Sequence, residues 1–295
     1  MDEKLKSRIR GIIIPLPTPC LENGELDLPM LEQLVDFYLG VGVHALFPLG
    51  SFGQGPACSP EQRKKVAEVV LKRVGDRVPV IVHVGAVDPF TSIELGRHAR
   101  EHGAHAIGLV GPYYYNDRSE AEIVEHFAMV DKEVNLPLFV YNNAAYSGYN
   151  IGPSLMQKLV ERTPNIFGMK LAKGSIREAQ GYLKVLPQLS LMAPPENLFP
   201  GLLVALKGSI AVVLVGYPEL GLDVVRAVEK EDFHGATLAQ LRIFQYQQLG
   251  ISPAESLRFR GFDIKGSRRA PGRTMSPEAR TKLREKLEAF GLPVA

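Results

Sequence analysis

Short β-rich runs recur along this chain at intervals of roughly 20 to 35 residues, about the length of a strand–helix unit, and that recurrence restricts the available folds. The runs are Gly11–Ile14, His44–Pro48, Val78–Val84, Ala106–Val110, Leu136–Tyr141, Ile166–Lys170, Leu189–Ala193 and Ser209–Val215. Several are apolar on both faces, as in Pro79-Val-Ile-Val and Ile210-Ala-Val-Val-Leu-Val, which suits parallel strands covered on each side. Capping chemistry opens the segments between them: Ser59 with Gln62, Ser119 with Glu122, and Ser175 with Glu178. In each, a serine hydroxyl can accept from an orphan amide while the later side chain reaches back. Eight such alternations, then a wholly helical tail from Tyr217, predict an α/β fold, a (β/α)8 TIM barrel. The expected division is a barrel over residues 1–216 and a C-terminal helical region over residues 217–295 packed on it. Ser276-Pro277-Glu278 should open the last helix, with Leu283, Leu287 and Phe290 on its apolar face. The rival is an open doubly wound sheet, but the GxGxxG phosphate turn it would normally carry is missing after Ile14.

Composition narrows the function. The 295 residues suit one barrel, and 45% hydrophobic content supplies a large core. A formal net charge of +2 creates no global field favouring nucleic acid or membrane. Cys20 and Cys58 are too few for a disulfide scaffold or a multi-cysteine zinc site. The start, MDEKLKSRIR, is too charged for a secretory segment, and no apolar stretch approaches the roughly 20 residues a bilayer span needs. A soluble, cytoplasmic protein without nucleic-acid or membrane partners is expected. The basic stretch from Lys265 to Arg273 reads as a solvated or subunit-facing loop rather than a nucleic-acid site, since no aromatics interleave.

In a barrel the chemistry belongs at the C-terminal ends of the strands. That rule selects Gly50-Ser-Phe-Gly-Gln-Gly55, Pro112-Tyr-Tyr-Tyr-Asn116, Tyr141-Asn-Asn143 and Lys170. Lys170 follows Ile166-Phe-Gly-Met, at the mouth of an apolar barrel. Either it snorkels to solvent or a carboxylate, or desolvation leaves a neutral amine able to attack a carbonyl. Lys173, if it reached the site, would push the same way. Tyr141, on the adjacent strand, is either rim packing or a proton shuttle beside that amine. The tyrosines at 113–115 carry a similar ambiguity, between subunit packing and a phenol reaching a site. The Gly50–Gly55 loop is either a bare turn or a carboxylate cradle of amides and a hydroxyl. His98, His102 and His105 have a spacing that could set two imidazoles on one helix face, but they lie away from the rim, and solvated histidines are the plainer reading. No metal site is expected.

Together these residues resemble the dihydrodipicolinate synthase / N-acetylneuraminate lyase family of class I, Schiff-base aldolases. The likeness runs over nearly the whole chain, from Gly11-Ile-Ile-Ile-Pro-Leu-Pro-Thr-Pro19 onward. Its marks are Gly50–Gly53, Gly111-Pro-Tyr-Tyr114, Tyr141-Asn142, Gly168-Met-Lys170 and Gly208-Ser-Ile210. The resemblance implies that Lys170 forms an imine with pyruvate or the pyruvoyl end of a larger 2-oxo acid, that Tyr141 shuttles protons and that Ser51 relays them. It implies that Tyr114 comes from a neighbouring subunit of a dimer or tetramer. Ser51, Phe52, Gly53 and Ile210 would bind substrate, and no cofactor would be needed.

Phe52 stands where the family usually has threonine, Gln54 where glutamate is common, and Tyr146 where authentic dihydrodipicolinate synthases place an arginine. Losing a guanidinium that pairs bidentately with a carboxylate is not conservative. A catabolic aldolase or dehydratase acting on another 2-oxo acid, such as a 2-keto-3-deoxy sugar acid, is therefore favoured. Three alternatives are a true 4-hydroxy-tetrahydrodipicolinate synthase, a non-catalytic ligand-binding relative and a metal-dependent barrel aldolase.

Overall fold

The computed structural model describes residues 3–115, 117–265 and 275–295. Apart from Lys265, the basic stretch lies outside the described residues, as does Asn116. Eight parallel strands form one sheet: β1 Gly11–Ile14, β2 Ala45–Leu46, β3 Ile81–His83, β4 Ala106–Val110, β5 Leu138–Asn142, β6 Ile166–Leu171, β7 Ser190–Ala193 and β8 Gly208–Ile210. Their order, β2-β1-β8-β7-β6-β5-β4-β3, wraps the sheet around until β2 meets β3 through a parallel bridge between Leu46 and Val80. The amide of Leu46 donates to the carbonyl of Pro79 there, at 3.0 Å. The result is the nearly closed (β/α)8 barrel that the spacing predicts.

Alternation along the strands sorts the apolar side chains into two cores, with one interruption where the β5–β6 register shifts between Leu138 and Phe139 and leaves Phe167 as an extra inward residue. Ile13, Ala45, Phe47, Ile81, Ala106, Phe139, Phe167, Met192 and Ile210 fill the interior, joined from below by Ile9. Ile12, Ile14, Leu109, Val140, Met169 and Leu191 point outward and pack under the helices.

The helices begin where the caps predict. Complete capping boxes open Pro60–Val74, Glu120–Val134 and Ile176–Val185 from Ser59, Ser119 and Ser175. Helix Glu219–Glu229 follows β8 and packs on β1 and on helix Phe233–Gln248. Pro253–Phe259 and Pro277–Ala289 complete the tail, the latter capped by Ser276 and burying Leu283 and Leu287. Among the described residues no helix is long and apolar enough to cross a membrane.

Several strands are shorter than their apolar runs. The expected strand Ser209–Val215 ends at Ile210, which pairs with Ile13, and Val212–Leu214 winds a 3₁₀ turn. Beyond Ile13, β1 offers this strand no further paired residue. An unbroken apolar run has no period to tell a strand from a buried turn. Similarly, Val78–Val84 contracts to Ile81–His83 and His44–Pro48 to Ala45–Leu46.

Candidate active site

Adjacent strands place the principal pair. Tyr141 on β5 is the register partner of Lys170 on β6, so both side chains enter the barrel mouth at one level. The two are 5% and 7% exposed, and Nζ of Lys170 lies 4.6 Å from the centre of the Tyr141 ring. Burial pushes the Lys170 ammonium below its ordinary value, opposed by attraction to the Tyr141 phenol. Burial alone would raise the Tyr141 phenol. The Lys170 charge and hydrogen bonds from Ser51, Asn143 and Lys170 outweigh that and hold it below the ordinary tyrosine value. Nδ2 of Asn143 donates to the Tyr141 oxygen at 2.9 Å. Amine, phenol and hydroxyl thus form one connected cluster.

The cluster opens into a cavity of about 480 Å³ above the strand ends. Gly50, Ser51 and Phe52 form part of its wall, with Ile210, Tyr146 and Asn143. Gly53 is not on this wall. It packs against backbone, where an added Cβ would stand 2.6 Å from the carbonyl oxygen of Leu16. The loop's shape is held by two non-glycine residues in the left-handed region, Leu49 at φ 65° and Gln54 at φ 56°. Lys173 is exposed and does not line the cavity. Among the described lining residues, Lys170 is the one that bears a cationic group.

Tyr114 is placed elsewhere. Its side chain is 79% exposed and edge-on to Tyr115, and its backbone is strained at φ 73°. It does not line this chain's own cavity. Tyr113 lines a second, 280 Å³ hollow with Ser51, Gln54, His83 and Tyr146. The end of β3 is braced by the buried Arg63, which donates to the carbonyls of Gly85 at 3.1 Å and His83 at 2.9 Å.

The sequence reading missed several wall residues. Pro15 and Pro194-Pro195 follow β1 and β7, so the strand-end rule contained their signal. Gln247 and Pro253 reach the cavity from the helical tail, and no local pattern marks them. His98 and His102 do come together, with Glu68, on the outer helices, whereas His105 is set apart, accepting from the amide of Val80 just ahead of β3.

Comparison with known proteins agrees with this geometry. The family model described as the dihydrodipicolinate synthetase family matches residues 8–290. YagE of Escherichia coli K12, provisionally named a 2-dehydro-3-deoxy-D-gluconate aldolase, is 30% identical over 244 residues, 81% of this chain and 80% of that one. The 4-hydroxy-tetrahydrodipicolinate synthase of Aquifex aeolicus is 29% identical over 292 residues, covering 97% of this chain and 99% of its own. The crystal structure of YagE in complex with pyruvate superposes with a TM-score of 0.89 at 27% identity, covering 96% of this chain and 99% of that one. With a match over almost its whole length and an amine–phenol pair at the mouth of its barrel, the chain belongs to the dihydrodipicolinate synthetase family, whose compared members are named an aldolase and a synthase.

Proposed function

We propose that the chain is a pyruvate-type Schiff-base lyase in which Lys170 forms the imine. The observation that carries this reading is a buried amine, its charge disfavoured by burial, touching a phenol tied to Ser51 and Asn143. A neutral Lys170 Nζ adds to the ketone of a 2-oxo acid. Tyr141 protonates the carbinolamine oxygen, with Ser51 relaying the proton, and water leaves to give the protonated imine. That cation accepts the electron pair when the next carbon–carbon bond breaks, releasing an aldehyde, or when a proton leaves the carbon beside the imine, the resulting enamine then returning the pair to expel a protonated β-hydroxyl as water. The amides of Ser51 and Phe52, with Gly53 setting the loop, hold the substrate carboxylate, and Ile210 packs against the pyruvoyl end. Pyruvate is bound in the similar YagE structure.

The walls favour a catabolic aldolase or dehydratase acting on a 2-oxo acid. A second carboxylate would find no described cationic partner beyond Lys170, and a buried unpaired anion is strongly disfavoured. The exposed, strained Tyr114 suits a residue donated to a neighbouring subunit, in a homodimer or homotetramer.

Borohydride reduction in the presence of pyruvate tests the mechanism. A pyruvate adduct mapped to Lys170 is expected, and an unmodified Lys170 in active enzyme would refute it. A panel of 2-oxo acids, assayed for pyruvate release, tests the catabolic reading. Preferred condensation of pyruvate with aspartate semialdehyde would overturn that reading while leaving the imine intact.

A further inference from the structure

Two histidines four residues apart on one helix share a face. His98 lies within helix Pro89–Glu101 and His102 is its C-cap. Their rings stack with centres 4.0 Å apart and planes 27° from parallel. From the neighbouring helix Pro60–Val74, Glu68 turns its Oε1 toward both, 3.1 Å from His98 Nε2 and 3.9 Å from His102 Nε2. All three donor atoms lie within 4.8 Å of one another. An ion bound tetrahedrally with bonds of about 2.0–2.1 Å spaces its ligand atoms roughly 3.4 Å apart, so little adjustment is needed.

The hydrogen bonding of His102 suits the same role. Its Nδ1 lies 2.8 Å from the carbonyl oxygen of His98, which can only accept, so Nδ1 carries the proton. In the neutral ring Nε2 then presents a lone pair toward the Glu68 carboxylate. A metal ion placed between Nε2 and the carboxylate would be attracted to both. A ligating histidine whose other nitrogen donates to a backbone carbonyl is the usual supporting arrangement. Nearby cations leave the position open: Lys65 pairs with the other Glu68 oxygen at 3.3 Å, and Lys64 is engaged by Glu94. The side chains of His98, Glu68 and His102 are 14%, 35% and 40% exposed, so an ion can reach them.

We propose that Glu68, His98 and His102 form a binding site for a divalent transition-metal ion of the zinc class, tying together the helices that follow β2 and β3. Two imidazoles and a carboxylate suit such ions, and three protein ligands leave a position for water. The site is separate from the Lys170 cavity and does not depend on the imine chemistry.

The test uses the full chain, stripped with chelator and titrated with Zn²⁺ alone by calorimetry, with Co²⁺ absorption as a second readout. One ion per chain and a rise in Tm on binding are expected. His98→Ala and His102→Ala should each weaken binding at least about tenfold, the loss that removing even an outer partner causes. His105→Ala should bind as the parent does. Glu68→Gln keeps the side chain's shape, and it should lose the Zn²⁺-dependent rise in Tm while its metal-free Tm shows that it is folded. Absence of saturable binding, or parental affinity in both His98→Ala and His102→Ala, would overturn the proposal. Pyruvate trapping on Lys170 would be unaffected by either result.

Discussion

Inside this barrel, one step along two adjacent strands separates core from chemistry. Phe139 on β5 pairs in register with Gly168 on β6, and two residues further Tyr141 pairs with Lys170. All four positions face the barrel interior, because side chains on a strand repeat with a period of two. The lower pair is sealed: Phe139 is fully buried, and an added Cβ on Gly168 would stand 2.5 Å from its ring and 2.6 Å from the Ser190 carbonyl oxygen. The upper pair is nearly as buried but borders the cavity. The contrast lies in what borders each pair: a packed layer closes the barrel from beneath, and the amine one layer up is buried yet borders the cavity.

Converting the upper layer to core chemistry should have the largest effect. Lys170→Met removes the proposed nucleophile, and turnover should fall by on the order of 10⁵-fold or more, with loss of borohydride trapping. It should also stabilise the fold. The Lys170 ammonium sits below its ordinary 10.5 in the folded chain, so between the folded value and 10.5 the unfolded chain binds a proton that the folded one does not. The stability withheld at neutral pH is recovered only as pH rises, and Met removes that handicap. A lower urea midpoint for Lys170→Met at pH 7 would contradict the sign. Tyr141→Phe retains the ring and deletes only the phenol. Turnover should drop by about 10²–10⁴-fold, the usual worth of a positioned proton shuttle, while Lys170 remains trappable at a slower rate. Unchanged turnover would remove Tyr141 from the mechanism.

The lower layer is probed through Gly168→Ala. The methyl group would meet both the Phe139 ring and the Ser190 backbone, and the backbone cannot step aside as a flexible side chain can. A loss of about 3 kcal/mol in unfolding free energy is expected, near the upper end for overpacking. Parental stability would show that the interior is less closely packed than the β5–β6 register implies.

What could be read from the sequence follows the range of the interactions. Capping boxes at Ser59, Ser119 and Ser175 act within four residues, and all three form as expected. The strand-end rule brings Lys170, Tyr141, Ser51 and Phe52 to one cavity, because parallel strands align their carboxyl ends on one rim. Signals failed where the contact spans the fold. Gln247 and Pro253 line the cavity only because the tail folds back over the barrel, and Glu68 meets His98 only because two helices lie side by side. The 3₁₀ turn at Val212–Leu214 was hidden by its own hydrophobicity, and Gly53 by serving the loop's packing instead of the cavity wall.

The smallest expected effect concerns groups that the barrel buries uncharged. Burial, aided by the Arg63 charge, pushes the His83 imidazole down to about 3. Burial, aided by Arg118, pushes His126 down to about 4. Below 6.5 the unfolded chain takes up protons that these folded histidines refuse. Their contribution is therefore present above 6.5 and is lost as pH falls toward the folded values. The first unit of acidification below 6.5 should cost about 1 kcal/mol per histidine. His44 and His105, also lowered by burial, act in the same direction. Asp131 opposes them, since burial raises its carboxyl and the folded chain holds that proton more tightly, but it acts nearer the carboxylate range. Urea unfolding at pH 6.5 and 5.5 measures the slope, and His126→Leu should reduce it by about one histidine's share. A stability unchanged between those two values would mean that the imidazoles titrate freely, and that the wall around β3 and the neighbouring helices admits water.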